Sequence, residues 1–407
     1  MINYDSFLSR RGLDMQGSAI RRIGALSAGI PDMISFAPGY PDPAVTPWAD
    51  FREIASGLLS GSDSEVLQYG PTRGHAPLLD AVTSILAARG IRASREELLV
   101  TTGSQQALDL AARVLCDPGD VVIVELPTYT GALAAFRDAQ AELVGVRQDA
   151  DGINLEDLEA VVKRERRAGK RVSCLYVVPN FQNPAGLLMG LEKRRRLLET
   201  ASRLDLLLVE DDPYGALYFD DADAPLTRPI KADDDDGRVL YLSSFSKTLA
   251  AGFRVAWIAA PAPLVAKFDV AKQAADLCSG ALDQRMVYEA WKRGVLAAGV
   301  PRLRAHYRHK RETMERAMRA TLDGVLSWRT PRGGFFILAS LPEDLNGEDL
   351  LQPAIAERVV FVAGAPFFVD GSGRNTIRLS FSLPAPDRIV EGVNRLARVI
   401  RQALERR

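Results

Sequence analysis

The 407-residue chain has little of what defines several specialised protein classes. It holds three cysteines, Cys116, Cys174 and Cys278, with no Cys-x-x-Cys motif, and only three histidines. This excludes a disulfide scaffold and a zinc module, and we predict buried, unreactive thiols. No uncharged apolar run reaches the roughly 18 residues that a membrane helix needs, and the N-terminus has no apolar signal core. We therefore expect a cytoplasmic protein with no membrane partner.

The chain also lacks an excess of charge of one sign. It has 51 Lys and Arg against 52 Asp and Glu, for a formal net charge of -1. Such a chain has no overall basic field to hold a phosphate backbone, so we expect no nucleic-acid partner. The acidic run 233–236 is followed by glycine and is typical of a solvated turn, so no metal site is predicted.

What is present is the pattern of an α/β protein. Apolar residues make up 47% and charged residues 25%, as in ordinary globular proteins. Continuous Val, Ile and Leu runs alternate with amphipathic segments such as 105–115 and 155–167. This indicates a mostly parallel sheet covered by helices on both faces. The predicted strands are 98–102, 121–125, 142–146, 173–178, 206–210, 239–243 and 255–259.

The pattern changes after about residue 290. A long charged helix is predicted over 301–318, and a further helix closes the chain. The strand-like runs between them are 335–339, 359–362 and 376–381. We therefore expect an N-terminal arm over 1–45, a large domain over 46–290 and a smaller α+β domain over 291–407.

Polar residues follow the predicted strands, where ligands bind in parallel α/β sheets. Gly103 and Ser104 open a helix, which offers N–H groups and a hydroxyl to an anion, although a plain helix N-cap explains them better when they are taken alone. Asp211 follows a buried run and needs a cationic or N–H partner. Lys247 ends a Ser-Phe-Ser-Lys sequence, where desolvation can lower the pKa of an amine and make it a nucleophile for aldehydes. Taken alone, Lys247 is more often a surface lysine.

Together these signals fit pyridoxal phosphate. This cofactor needs an amine for its aldehyde, a carboxylate at its ring nitrogen, donors for its phenolate oxygen, an aromatic neighbour and an anion site for its phosphate. Tyr129 and Asn183 follow two further runs. Arg254 lies close after Lys247, within reach of a phosphate.

The chain resembles the class I aminotransferases of fold type I, in particular the branch of kynurenine and 2-aminoadipate aminotransferases and of aminotransferase-like bodies in some bacterial regulators. The resemblance covers essentially the whole chain and implies a large domain with a mostly parallel seven-stranded sheet plus a smaller α+β domain. Its motifs are Asn183-Pro184-Ala185-Gly186, Glu210-Asp211-Asp212-Pro213-Tyr214 and Ser244-Phe245-Ser246-Lys247 with Arg254.

The resemblance implies three catalytic residues. Lys247 would bind the cofactor aldehyde covalently and then act as general acid and base. Asp211 would pair with the ring nitrogen, and Tyr129 would stack on the ring. Asn183 and Tyr214 would hold the phenolate oxygen.

The resemblance also implies how the phosphate is held. Tyr69 matches a tyrosine that reaches the phosphate of the neighbouring subunit, which implies a homodimer with shared sites. The residues of the chain's own phosphate site would be Ser104, Gln105, Ser244, Ser246 and Arg254.

Arg378 matches the family's clamp for the substrate α-carboxylate, for which the planar guanidinium is suited. Asn183 and Gly39 are the other expected substrate contacts. The implied reaction moves an amino group from an L-amino acid to a 2-oxo acid by a ping-pong mechanism, with aromatic, 2-aminoadipate-like or aliphatic donors. No second arginine can be assigned to a side-chain carboxylate. Pro38 departs from the family's usual glycine in the substrate segment.

Three points stay open in the sequence. The side chains of Tyr40, Phe335 and Phe336 either line an apolar substrate pocket or pack in the core. The same cofactor also serves lyases, cyclases and decarboxylases, and the bond that is cleaved depends on a substrate orientation that the sequence does not show. A ligand-sensing regulatory module is the alternative of another class. It is disfavoured because the pattern starts within the first 40 residues and the charge is not basic.

Overall fold

A computed structural model of the chain describes residues 2–15, 17–27, 29–61 and 63–406. Its α-helices are α1 Arg10–Asp14, α2 Ala19–Ser27, α3 Trp48–Ser60, α4 Ala76–Ala88, α5 Ser104–Leu115, α6 Thr130–Asp138, α7 Leu155–Arg167, α8 Leu191–Arg203, α9 Ala262–Ala275, α10 Ala281–Lys292, α11 Val295–Leu322, α12 Leu351–Ala356 and α13 Pro386–Glu405. Its strands are β1 Ile34–Ser35, β2 Leu98–Thr102, β3 Val121–Leu126, β4 Glu142–Asp149, β5 Gly152–Ile153, β6 Val172–Val177, β7 Leu208–Asp211, β8 Val239–Ser244, β9 Val255–Ala259, β10 Ser327–Trp328, β11 Phe336–Ser340, β12 Val359–Val360, β13 Val362–Ala363 and β14 Thr376–Ser380.

The large sheet confirms the predicted α/β class. Its strand order is β2-β9-β8-β7-β6-β3-β4-β5, and the strands from β8 to β4 in that order run parallel. Strand β9 is antiparallel to both β2 and β8, and β5 is antiparallel to β4. The predicted count of seven strands was wrong, because the eighth, β5, has two residues and is too short to show a periodicity.

The aliphatic runs form strands because both faces of this sheet are covered. On one face Val122 packs in a buried cluster with Leu108 of α5. On the other face Ile123 packs with Leu158 of α7 and Leu197 of α8. Neighbouring side chains of a strand point to opposite faces, so a strand buried on both sides needs apolar residues at every position.

The carboxyl edge of this sheet gathers the predicted site residues. Asp211 is the last residue of β7 and Ser244 is the last residue of β8. Both strands end one residue later than predicted, and β7 also starts two residues later than predicted, at Leu208. Asp211 pairs with Leu242, which places Ser244 just beyond it. Strand β2 ends at the same edge, where Gly103 leads into α5.

A second sheet lies in the C-terminal part of the chain. It has the order β10-β11-β14-β13 and is antiparallel throughout. Helix α11 is longer than the predicted 301–318, and the predicted run 359–362 divides into β12 and β13. Strand β1 pairs in parallel with β12, so this part of the predicted arm lies against the C-terminal part. The domain boundaries themselves stay a prediction.

Two further expectations can be compared with the described residues. Cys174 is buried, but Cys116 and Cys278 are only half-buried, so the prediction of three buried thiols was wrong for two of them. None of the described helices is long and apolar enough to cross a membrane.

Arg194 on α8 ties down the loop that follows β6. Although its side chain is buried, its guanidinium donates to the carbonyl oxygens of Met189 at 3.0 Å, Pro179 at 3.1 Å and Arg228 at 2.8 Å. It also donates to Oδ1 of Asn180 at 2.8 Å. A buried charge is tolerated when its donors are satisfied in this way.

Replacing Arg194 by alanine is expected to destabilise the protein strongly. Four acceptors would lose their donor, which lowers the free energy of unfolding by about 3 kcal/mol. The measurement is the shift of the urea unfolding midpoint. Arg195→Ala is the control, because that side chain is 59% exposed with one long ion pair at 3.8 Å. Equal shifts in the two variants would contradict this role of Arg194.

Candidate active site

Lys247 lies at the centre of the carboxyl edge of the large sheet. It follows β8, and its Nζ donates to the carbonyl oxygen of Gly39 at 2.9 Å. The centres of the Tyr214 and Phe335 rings lie 5.8 Å and 5.7 Å from the same nitrogen. Gly39, predicted on the substrate side, and Tyr214, predicted on the cofactor side, therefore both lie close to Lys247.

The environment of Lys247 makes its ammonium group easier to deprotonate. Burial, followed by the positive charges of Arg254 and Arg378, lowers its pKa from 10.5 to about 8, and the carboxylate of Asp211 opposes the shift. A neutral amine is the form that attacks an aldehyde and accepts a proton.

Asp211 is a buried carboxyl with one oxygen satisfied and the other not. The Tyr176 hydroxyl donates to its Oδ2 at 2.8 Å, whereas Oδ1 is buried and has no hydrogen-bond partner among the residues that the structure describes. The pKa of Asp211 is raised to about 7, chiefly by burial and also by the nearby charge of Asp212. The hydrogen bond from Tyr176 acts in the opposite direction and lowers it. A cationic N–H at Oδ1 would hold the carboxyl ionised.

The start of α5 has the geometry of an anion site. Gly103 precedes the helix with a φ of +79°, and a Cβ there would clash with Nη2 of Arg254. Only glycine therefore lets the guanidinium pack against this turn. The Ser104 hydroxyl is buried without a hydrogen-bond partner, next to the free N–H groups of the first turn.

Two further hydroxyls lie beside Arg254. Ser244 Oγ accepts from the backbone N–H of Ser246 at 2.9 Å and donates to its Oγ at 2.8 Å. Arg254 Nη1 lies 3.5 Å from Ser246 Oγ. Ser104, Ser244, Ser246 and Arg254 thus supply the hydroxyls, N–H groups and positive charge that a phosphate needs.

Tyr129 and Gln105 meet at Gly131. Tyr129 is the N-cap residue of α6, and a Cβ on Gly131 would clash with its ring. Gln105 is exposed, and its Nε2 donates to the Gly131 carbonyl at 2.8 Å. Burial and the charge of Asp211 raise the pKa of the Tyr129 hydroxyl.

Arg378 on β14 is buried, with 1% of its surface exposed. Its Nη1 donates to Asn183 Oδ1 at 2.8 Å and its Nη2 donates to the Ala37 carbonyl, while Nε has no hydrogen-bond partner in the described ranges. The ring centres of Phe336 and Phe367 lie 4.3 Å and 5.1 Å from the guanidinium carbon. Burial lowers its pKa to about 10, so it stays charged at neutral pH.

Asn183 is joined to the predicted carboxylate clamp. It is buried, and because its Oδ1 accepts from Arg378, a ligand oxygen would meet the donor Nδ2. The Tyr214 ring packs edge-on against Phe335 at 5.5 Å and Phe336 at 6.0 Å. Phe335 and Phe336 are therefore buried packing residues.

Two predicted residues are more exposed than the rest. Tyr40, the third residue left open between pocket and core, is 58% exposed, so it does not belong to the core. Tyr69 is 78% exposed, and its reach to a neighbouring subunit stays a prediction.

Two residues near the site were not predicted from the sequence. Tyr176 lies inside β6 rather than directly after a strand, and its signal is a tyrosine in a buried aliphatic strand, whose hydroxyl needs a partner. Arg21 lies on α2, in the predicted arm, and its charge opposes the raised pKa of Tyr129. Nothing in the local sequence relates Arg21 to a residue so far along the chain.

Among the described residues, three of the predicted site residues have a buried polar atom with no hydrogen-bond partner, and these atoms show which ligand fits. They are Oδ1 of Asp211, Oγ of Ser104 and Nε of Arg378. They offer an acceptor for a cationic N–H, a donor for a phosphate and a donor for a carboxylate. Pyridoxal phosphate with an amino-acid substrate presents the matching groups, so the described residues fit this cofactor.

Gly103→Ala is expected to weaken the binding of pyridoxal phosphate about tenfold, because the new methyl group displaces the Arg254 guanidinium from the phosphate site. The measurement is the dissociation constant of the cofactor. Gly252→Ala is the control, since a Cβ at Gly252 meets nothing within 4 Å. Loss of affinity to the same extent in both variants would contradict the assigned phosphate site.

Comparison with known proteins agrees with this geometry. Residues 32–396 match the family described as aminotransferase class I and II. The chain is 38% identical over 406 residues to aromatic-amino-acid aminotransferase 1 of Thermococcus litoralis, covering 100% of this chain and 96% of that protein. It is 37% identical to the kynurenine aminotransferase of Pyrococcus horikoshii solved in complex with PMP, with a TM-score of 0.93 over 99% of this chain and 98% of that one.

A third relative carries a cofactor adduct in its structure. The alpha-aminoadipate aminotransferase of Thermus thermophilus, complexed with N-(5'-phosphopyridoxyl)-L-leucine, is 37% identical with a TM-score of 0.90, and the match covers 100% of both chains. The chain therefore belongs to the class I and II aminotransferases, and it is a pyridoxal-phosphate-dependent enzyme of fold type I.

Proposed function

We propose that this aminotransferase moves the amino group of L-amino acids with aromatic, 2-aminoadipate-like or aliphatic side chains to 2-oxo acids by a ping-pong mechanism. The observation that carries the proposal is that Lys247 lies close enough to the buried Asp211 and Arg378 for their charges to act on its amine, whose pKa is about 8. Pyridoxal phosphate supplies, when bound, the aldehyde and the electron-accepting ring.

The chain's own residues divide the remaining work. The amine of Lys247 takes up the proton from the substrate Cα and returns it in the reverse direction. Asp211 would keep the proton on the ring nitrogen through Oδ1, which has no hydrogen-bond partner among the described residues. Tyr129 would cover the ring, and Asn183 and Tyr214 would hold the phenolate oxygen. The residues that would bind the phosphate are Ser104, Gln105, Ser244, Ser246 and Arg254.

Arg378 explains why one site serves both half-reactions. Amino acids and 2-oxo acids each carry a carboxylate next to the reacting carbon, so the same guanidinium binds both in turn. The Arg378 guanidinium is held in place before a substrate binds, because it packs between Phe336 and Phe367 and donates a hydrogen bond to Asn183. Gly39, whose carbonyl accepts from Lys247, completes the substrate side.

Arg21 supports acceptance of donors with an acidic side chain. Arg21 lies on α2, and its charge acts on the Tyr129 hydroxyl. We therefore propose that Arg21 binds the side-chain carboxylate of an acidic donor. Similar proteins are named as aminotransferases of aromatic amino acids, kynurenine and 2-aminoadipate, which agrees with a site that takes apolar and acidic side chains.

We also propose that the enzyme is a cytoplasmic homodimer. Trp48 is 62%, Leu67 77% and Tyr69 78% exposed, all within one segment of the chain. Large apolar side chains exposed together are typical of an interface. Tyr69 would then reach the phosphate in the partner's site.

The test compares Arg378→Ala with Arg21→Ala in steady-state kinetics, with an aromatic donor and with 2-aminoadipate as the acidic donor. Arg378→Ala is expected to raise KM about a hundredfold for every donor and for the oxo-acid acceptor, because a desolvated charge pair is lost from both half-reactions. Arg21→Ala is expected to raise KM for the acidic donor alone, by about tenfold.

The two variants act as controls for each other. An effect of Arg378→Ala on one substrate alone would remove this residue from the carboxylate site. An equal effect of Arg21→Ala on aromatic and acidic donors would contradict its role in selecting the side chain. Intersecting rather than parallel double-reciprocal lines in the wild type would contradict the ping-pong mechanism.

A further inference from the structure

Tyr176 makes a contact with Asp211 that the reaction described above leaves unused. It is fully buried in β6, and its hydroxyl donates to Asp211 Oδ2 at 2.8 Å. Tyr176 pairs with Val209 of β7, so Asp211, two residues further, points to the same face of the sheet. The Phe136 ring lies 6.2 Å away, edge-on, and packs in the same cluster.

This contact makes the two oxygens of Asp211 unequal. Oδ2 accepts the hydrogen bond from Tyr176, and Oδ1 is buried with no hydrogen-bond partner in the part of the chain that the structure describes. A carboxyl group can rotate about its bond to Cβ, and a bond from a fixed ring to one oxygen sets the direction of the other. The tyrosine is fixed because it lies in a central strand and is packed on all sides.

We propose that Tyr176 is a positioning residue, which holds Asp211 ionised and turned so that Oδ1 meets the ring nitrogen of pyridoxal phosphate. The inference rests on the assignment of this cofactor to the chain. It extends the site to a residue beyond those predicted to hold the cofactor or the substrate.

The surrounding charges leave Asp211 dependent on this donor. The titratable groups that face the pair are Asp212, Lys247, Tyr129, Tyr214 and Glu125. Burial raises the pKa of Asp211 to about 7, Tyr176 lowers it by its hydrogen bond, and Asp212 raises it. The pKa of Tyr176 is raised well above its ordinary value by burial and by Asp211, so the hydroxyl remains a donor at every pH that the protein meets.

The test measures binding of pyridoxamine phosphate to cofactor-free protein, because this amine form cannot join Lys247 covalently. Tyr176→Phe is expected to weaken binding about tenfold at pH 8, the loss typical of a hydrogen bond to a charged group. Without Tyr176 the carboxyl takes up its proton at higher pH. The ratio of variant to wild-type dissociation constants is therefore expected to grow as the pH falls from 8 to 6.

A second readout reports the ring nitrogen directly. With pyridoxamine phosphate labelled with 15N in the ring, the wild-type signal is expected in the protonated range at pH 8. The signal in Tyr176→Phe is expected to move towards the unprotonated range. A merely structural loss would lower stability without moving this signal.

Tyr241→Phe is the matched control. Tyr241 is also buried in a neighbouring strand, and its hydroxyl donates to Asp212 Oδ2 at 3.0 Å, so the variant loses the same kind of bond beside the site. The dissociation constant of pyridoxamine phosphate from Tyr241→Phe is expected to stay within twofold of the wild-type value. Equal changes in the two variants, or an unmoved 15N signal in Tyr176→Phe, would overturn the proposal.

A second substitution covers the case in which Tyr176→Phe does not fold. 3-Fluorotyrosine at position 176 keeps the shape and is a stronger donor, so the affinity for pyridoxamine phosphate at pH 6 is expected to rise about threefold. An unchanged affinity would also overturn the proposal. Failure of the wild type to bind pyridoxamine phosphate would instead count against the cofactor assignment.

Discussion

The site depends on the cost of keeping ionisable groups out of water. Lys247, Asp211 and Arg378 all have pKa values displaced towards their neutral forms, to about 8, 7 and 10, and burial is the first cause each time. The described part of the chain does not satisfy them, since Asp211 and Arg378 each keep a buried atom without a hydrogen-bond partner there. A ligand with a cationic N–H and a carboxylate compensates these groups, so the same burial that disfavours their charges favours its binding.

In this fold the rigid part and the reactive residues are separate: buried aliphatic strands form the support, and the polar site residues lie at their carboxyl ends. The strands of the large sheet are aliphatic and covered on both faces, so they position the polar residues at their carboxyl ends firmly. Lys247 and Asp211 come from neighbouring strands of that sheet, while Arg378 comes from the second sheet. The Arg378–Asn183 bond joins the two sheets across the site.

Much of the site could be predicted because it follows a local rule. Lys247 and Ser104, for example, could be predicted because they are polar residues that directly follow buried apolar runs, where ligands bind in parallel α/β sheets. The bond from Tyr176 to Asp211 could not be predicted, because it depends on the register of two strands. The place of Arg21 depends on how a distant helix packs, and the short strand β5 leaves no periodic signal.

The central claim is that Lys247 exchanges an amino group with substrates through pyridoxal phosphate. The most direct measurement is the visible absorption of the purified holoenzyme during addition of an L-amino acid and then a 2-oxo acid. In the wild type, a band is expected that bleaches on the first addition and returns on the second, and folded Lys247→Ala is expected to show no such cycle. A band that persists with the wild type, or a full cycle in Lys247→Ala, would contradict it.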